Sequence, residues 1–388
     1  MTPGPDLPPH VSGRQIHGPP ALTPIIRGLL VLGLLYTFLV GIGLLEGGIT
    51  GLGPSVQEEM FRSVTNPLAG LFVGILATVV AQSSSVSTST IVGLVGAGLL
   101  GVDAAVPMIM GANIGTTVTN TLASLGHLRR PQEFKAAFAA ATVHDFFNVL
   151  SVIVLLPLEL ATGILGSIAQ SLSSVLVGSS GTTFNSPIKA AVKFPSDRVE
   201  ELWAGLGLGG TALAVVLLAC GLGLIFVSLA YITKNMRSLV ADRVEQTVND
   251  VLGRGGGAPA LLAGMLITVA VQSSSITTSI LIPLAASGVL TLRSTYPVTL
   301  GANLGTTVTA LLASLATDRP EALTIALVHA LFNLAGIGLF YPIPALREIP
   351  IRLAERGAEM ATSQRRLVLV YVLGLFVVVP LVGVLLLR

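Results

Sequence analysis

The sequence predicts an all-α integral membrane protein built from two internal repeats, each with a re-entrant helical hairpin and a broken transmembrane helix. Three observations predict it. Charged residues are 10% of the 388 and apolar residues 52%; a soluble domain carries about 25% charged residues, so too few remain here to cover a water-facing surface. Uncharged runs long enough to cross a bilayer recur along the chain. Three polar motifs occur twice, in the same order. Composition also excludes alternatives. With 21 Lys and Arg against 19 Asp and Glu, the net charge of +2 gives no footprint for a nucleic-acid partner. Cys220 is the single cysteine, which rules out an internal disulfide framework and a multi-cysteine metal site. The five histidines lack the spacing of a zinc pair, so a metalloenzyme is not expected.

The elements follow from the charges. Residues 1–24 contain seven prolines and three glycines and show no apolar face, which predicts a disordered tail. No apolar core there closes on a small-residue cleavage site, so it does not read as a signal peptide. A first transmembrane half, 25–177, opens with Gly28 to Leu45, eighteen residues without a charge. Between Arg62 and Asp103 lie forty uncharged residues, interrupted by the polar run from Gln82 to Thr90. Pro67 to Ala81 is only fifteen residues, enough to enter the bilayer and turn back, which predicts a re-entrant hairpin. Further uncharged stretches run from Ala104 to Leu128 and from Phe146 to Leu158. Residues 178–201, with Pro187, Pro195 and three Lys or Arg, are expected as an extramembrane loop. Residues 202–257 are expected as a linking span, Leu202 to Thr233, then an interfacial helix and a break at Gly255, Gly256 and Gly257. The second half, 258–388, ends in Leu367 to Leu387, a twenty-one-residue apolar run. Counting Lys and Arg favours 234–257 and 347–366 as cytoplasmic by a small margin.

The duplication is the strongest signal. Gln82, Ser83, Ser84 and Ser85 recur as Gln272, Ser273, Ser274 and Ser275, an offset of 190. Gly111, Ala112, Asn113, Ile114, Gly115, Thr116, Thr117 and Thr119 recur as Gly301, Ala302, Asn303, Leu304, Gly305, Thr306, Thr307 and Thr309 at the same offset. The stretch from Val143 to Asn148 recurs as Val328 to Asn333, offset by 185, with Asp145 replaced by Ala330. Carriers built this way place their site where the halves meet near the membrane midplane. An odd number of crossings between the halves would invert one against the other.

A hairpin tip with an amide and three hydroxyls offers donors and acceptors without fixed charge. If each tip ends one half-helix and begins another, free N–H groups and a positive dipole end converge there, an arrangement that binds oxyanions. Two facing tips could therefore enclose a tetrahedral anion, with Gln82, Gln272 and the six serines as partners. The paired glycines of the second motif are expected to permit unwound backbone, with Asn113, Thr116, Thr117, Thr119, Asn303, Thr306, Thr307 and Thr309 lending oxygens to Na⁺. Asp145 would add one negative charge and favour a further Na⁺; the alternative pairs it with a His or Arg as a structural lock. Asn148 and Asn333 are expected beside the ion path or as helix-capping groups. The bland reading of small polar residues in membrane helices is close packing. No Lys or Arg falls inside the motifs, so a divalent anion bound there must bring cations with it.

At these residues the sequence resembles the type II sodium-dependent phosphate cotransporters. The likeness includes both tetrads, both Gly-Ala-Asn segments, the stretch from Val143 to Asn148, and the runs Phe340 to Pro344 and Ile349 to Arg352. It spans about nine-tenths of the chain. The resemblance implies Na⁺-driven symport of inorganic phosphate as HPO₄²⁻, held between the tetrads, with Na⁺ as the co-transported ion and no organic cofactor. It implies that Asp145 matches the aspartate that separates electrogenic from electroneutral members. It implies alternating access by an elevator or rocking movement in a multi-pass plasma-membrane protein, here a bacterial inner-membrane one. Two departures stand out: residues 178–201 are short and lack cysteine, and His127 to Pro131 is basic where animal relatives often carry an acidic residue. Transport of sulfate or arsenate and a passive anion channel are the alternatives. A serine hydrolase lacks a Gly-x-Ser-x-Gly elbow and a base near the serines.

Overall fold

A computed structural model describes residues 24–53, 66–177, 187–253 and 257–387. Every described element is a helix. The proline-rich tail up to residue 23, residues 178–186 and most of the triglycine break lie outside the described residues.

Helix α1, Pro24–Gly51, is followed by α2, Pro67–Ala81, and α3, Ser84–Gly96. Asn66 starts α2 by accepting hydrogen bonds from the N–H groups of Leu68 and Ala69, with Pro67 in the first turn, where a missing N–H costs nothing. Helix α4, Val102–Gly115, and the short α5, Val118–Ser124, lead to α6, Pro131–Thr162, and α7, Ile164–Val177. Helix α8, Pro187–Gly205, precedes α9, Gly210–Gly253. The second half repeats the order with α10, Ala258–Val271, α11, Ser274–Ala286, α12, Leu292–Ser314, and α13, Pro320–Phe340. Helix α14 is Pro344–Ser363; α15, Arg366–Leu373, and α16, Val379–Leu387, are joined by a π-helical turn over Gly374–Val378.

Among the described residues, five stretches are long and apolar enough to cross a membrane: Ile26–Gly51, Pro131–Thr162, Gly210–Met236, Pro320–Phe340 and Arg366–Leu387. Helices α2, α3, α10 and α11, at 15, 13, 14 and 13 residues, are each too short to do so alone.

The same packing recurs 190 residues apart. Helix α2 lies on α4 and α10 lies on α12. A Cβ added at Gly111 would collide with the carbonyl oxygen of Leu71, and one at Gly301 with that of Leu261. Gly74 and Gly264 meet the carbonyls of Met108 and Val298 in the same way. These four glycines seat one backbone against another, as small residues do in membrane bundles.

Three expectations are corrected. Residues 187–201 are helical rather than loop: Pro187 opens α8, and Val192 and Ser196, one turn apart, pack against Gly43 of α1. The span expected from Leu202 begins at Gly210, because the chain turns there on Gly207 and Gly210, both at positive φ. That span and the helix expected after it are one 44-residue helix, about 66 Å long at ~1.5 Å per residue.

Amphipathic α14 buries Ile351, Ala354, Ala358 and Ala361 against α6. Its polar side carries Glu348, 2.7 Å from Arg293, and Glu359, 2.7 Å from Lys135. Hydrogen bonds from those cations hold both carboxyls below the usual carboxylate range. The Lys135–Glu359 pair is solvent-exposed and contributes little to stability, whereas Arg293 grips both oxygens of Glu348 and also reaches Glu355.

Candidate functional site

Two tight turns join α2 to α3 and α10 to α11. Gln82 (φ 51°, ψ 24°) and Gln272 (φ 56°, ψ 28°) are the only non-glycine residues at positive φ among the described residues. The next residues are extended, Ser83 at φ −155°, ψ 111° and Ser273 at φ −155°, ψ 108°. A glutamine held in the left-handed region is strained, and strain kept at two equivalent positions points to function. Each side chain folds back on its helix. The Gln82 amide donates to the carbonyl of Val79, and that of Gln272 to Val269 at 2.7 Å. Thr119 donates to Gln82 Oε1 at 3.3 Å and Thr309 to Gln272 Oε1 at 2.8 Å. Thr119 and Thr309, expected at cation sites, therefore belong to the tips in this structure.

The tips meet. Ser85 Oγ lies 3.4 Å from the carbonyl of Gln272 and 3.5 Å from Thr309 Oγ1. A cavity of about 210 Å³ is lined by Gln82, Ser83, Gln272 and Ser273, and by Phe226, Leu229, Ala230 and Thr233 of α9. No charged side chain lines it. Ser84 and Ser274 begin the helices that start at these turns. Ser84, Ser85 and Ser274 are buried and Ser275 is half-buried; none of the four lines the cavity. The tips differ in exposure: Gln272 is 8% exposed, whereas Gln82 faces outward.

Four asparagines from α4, α6, α12 and α13 converge, all at most 3% exposed. Asn303 Nδ2 donates to Asn148 Oδ1 at 2.8 Å and to Asn333 Oδ1 at 2.6 Å. Asn148 Nδ2 donates to the carbonyl of Asn113 at 2.7 Å, and Asn333 Nδ2 to Asn113 Oδ1 at 3.3 Å. The cluster ties both halves together through buried side-chain hydrogen bonds.

The unwinding expected at Gly111 to Thr117 and Gly301 to Thr307 is corrected. Helix α12 runs unbroken through Asn303, Thr306, Thr307 and Thr309. In the first half the break is confined to Thr116 and Thr117, both with right-handed helical angles, after α4 has passed through Asn113. The glycines are taken up by close helix contact, so the backbone needs no unusual angle. Thr116, Thr306 and Thr307 donate to carbonyls of Ala112, Ala302 and Leu304 on their own helices. Thr117 donates to Ile114 and also stands beside Asp145.

Asp145 is completely buried in α6. Its Oδ2 accepts hydrogen bonds from Tyr371 at 2.7 Å and Thr121 at 3.2 Å. Its Oδ1 has no hydrogen-bond partner among the described residues. No His, Lys or Arg pairs with it among the described residues. Adjacent to Thr121, Asn120 Oδ1 accepts from Thr278 of α11 at 3.0 Å, linking this corner to the helix behind the second tip. Sequence reasoning missed Asn120, Thr121 and Tyr371. Signals existed: Asn120 and Thr121 correspond to Ala310 and Leu311, so the duplication fails there as it does at Asp145, and Tyr371 is the lone hydroxyl in the last apolar run.

Polar turns, an asparagine cluster and a buried carboxylate within a multi-pass membrane helix bundle are the features of a transporter of a small solute. The chain belongs to the Na⁺/Pi-cotransporter family, whose profile matches residues 37–180 and 224–345. It is 35% identical to sodium-dependent phosphate transport protein 2A of Rattus norvegicus over 92% of this chain and 67% of the relative. It is 33% identical to sodium-dependent phosphate transport protein 2B of Homo sapiens over 92% of this chain and 64% of the relative. No solved structure matches the chain.

Proposed function

We propose that the protein is a secondary active transporter that moves inorganic phosphate, as HPO₄²⁻, together with Na⁺ across the plasma membrane, the inner membrane in a bacterium. One observation carries this reading: the cavity between the two tips offers amides, hydroxyls and helix N-termini but no charged group. Neutral donors recognise the oxygens of a tetrahedral anion. They do not cancel two negative charges in a low-dielectric setting, where an uncompensated ion is expensive. Na⁺ bound nearby supplies that compensation, and its gradient then drives accumulation. Membership of the Na⁺/Pi-cotransporter family and the names of the relatives support the same pair of solutes.

Gln82, Ser83, Ser84, Ser85, Gln272, Ser273, Ser274 and Ser275 form the anion site in this proposal, Gln82, Ser83, Gln272 and Ser273 facing the cavity. Asn113, Asn148, Asn303, Asn333 and the neighbouring Thr116, Thr117, Thr306 and Thr307 supply oxygens once their present hydrogen bonds exchange for Na⁺. Asp145 takes a Na⁺ beyond those that neutralise the phosphate, so each cycle carries net positive charge. The short helices on either side of the tips are re-entrant, and alternating access opens the cavity to one side of the membrane at a time.

Purified protein in liposomes tests the reading. An inward Na⁺ gradient should drive accumulation of ³²P-phosphate above the external level, with weaker competition by sulfate than by unlabelled phosphate. Accumulation blocked equally by sulfate would make the cargo a broader oxyanion class. Flux that only equilibrates, with or without Na⁺, would make the protein a passive anion channel.

A further inference from the structure

We propose that Tyr371, on α15 in the last membrane-spanning stretch and outside both duplicated segments, is a positioning residue that fixes the Asp145 carboxylate so that Oδ1 is presented to Na⁺. The inference rests on the transport reading above and adds to it the residue that tunes the cation site. The terminal torsion of an aspartate is broad and two-fold, so an unrestrained carboxylate has no preferred face. Here Oδ2 is held by Tyr371 at 2.7 Å and Thr121 at 3.2 Å, while Oδ1 has no partner among the described residues. Thr117 also stands beside the carboxylate, but its hydroxyl proton goes to the carbonyl of Ile114 at 2.8 Å; the two donors that reach Asp145 act on Oδ2, which leaves Oδ1 for a hard cation.

The ring that carries the hydroxyl is itself held on several sides. Its centroid lies 6.0 Å from that of Phe138 and 6.3 Å from that of Phe146, both on α6, and 6.2 Å from that of Phe376, which meets it edge-on at 90°. Phe376 belongs to the π-helical turn Gly374–Val378 that opens three residues after Tyr371. Such turns are rare and cluster at functional sites, because the extra residue re-aims the side chains around it. A ligand oriented before the ion arrives gives up less conformational freedom on binding. In the second half Ala330 stands at the position of Asp145, so α15 completes a site in the first half only.

The test measures ³²P uptake into liposomes against Na⁺ concentration for wild type, Tyr371→Phe, Asp145→Gly and the double variant. Tyr371→Phe should raise half-saturating Na⁺ about tenfold, the loss of one hydrogen bond to a charged acceptor, while half-saturating phosphate at saturating Na⁺ stays unchanged. In the Asp145→Gly background the same substitution should have no further effect on Na⁺ dependence. An unchanged Na⁺ dependence in Tyr371→Phe, or an equal shift when Asp145 is already gone, would overturn the assignment. Tyr371→Leu, read against the same outcomes, replaces the phenylalanine variant if that protein is not recovered. Wild-type uptake indifferent to Na⁺ would overturn both this inference and the function beneath it, whereas Na⁺-driven wild-type uptake with a silent Tyr371→Phe overturns the inference alone.

Discussion

Between Pro67 and Thr162, and again between Ala258 and Phe340, the chain makes one frame twice: a glutamine at positive φ, a helix pair seated on glycine, and asparagines turned inward. What fills the frame differs. The first half has a helix broken at Thr116 and Thr117, with Asn120, Thr121 and Asp145 gathered beside the break. The second has a continuous α12 and Ala310, Leu311 and Ala330 at the corresponding positions. These departures share one corner of the first half. Duplicated groups sit where the halves meet and suit a guest that both must touch. Unduplicated groups sit to one side and suit something added to that guest, which is why the anion is assigned to the tips and the additional cation to Asp145.

The largest expected effect tests the shared frame. Gly111→Ala and Gly301→Ala each place a methyl against a carbonyl oxygen of the facing helix, and the backbones must move apart. Both variants should lose the monodisperse folded peak in size-exclusion chromatography of detergent extracts. A normal peak from either would mean that its half is not seated on that glycine. Next, Gln82→Ala and Gln272→Ala should abolish ³²P uptake with expression intact. Removing either side chain also frees Thr119 or Thr309 from its partner. Normal uptake in both would separate the turns from the substrate.

Asp145→Gly probes the corner where the halves part. Uptake should persist while net charge movement per phosphate weakens or disappears, read as current in voltage-clamped membranes; unchanged current would remove Asp145 from the cation path. A fall in pH from 8 to 6 should lower uptake several-fold, because phosphate's second pKa lies at about 6–7 and protonation depletes the divalent form. Uptake that rises instead would point to HPO₄²⁻ not being the carried species. The smallest effect belongs to Asn120→Ala, which removes the link to Thr278 at 3.0 Å. A loss of roughly two- to tenfold in apparent Na⁺ affinity is expected for one buried hydrogen bond, and Thr278→Val should reproduce it.

Much of the frame was legible from local signals. Helix α2 spans Pro67–Ala81 as read, because Asn66 and Pro67 start it and Gln82 leaves the helical region. The tetrads were legible because duplication repeats them in phase. Signals that depend on packing were not. A glycine before an asparagine can permit a bend or admit a neighbouring backbone, and only the approach of α2 and α10 decides for the second. The interlocked asparagines come from four helices, a meeting that no spacing along one helix predicts. Charges and two prolines made residues 187–201 look like loop, yet a proline in the first turn starts a helix as readily as it interrupts one.

The central claim is that the neutral tips hold a divalent anion only with Na⁺ beside them. Isothermal titration of phosphate into purified protein, in sodium buffer and in choline buffer of equal ionic strength, tests it most directly. Phosphate should bind in sodium and show no measurable binding in choline; by linkage, phosphate should tighten Na⁺ binding by the factor with which Na⁺ tightens phosphate. Equal phosphate affinity in the two buffers would contradict the claim.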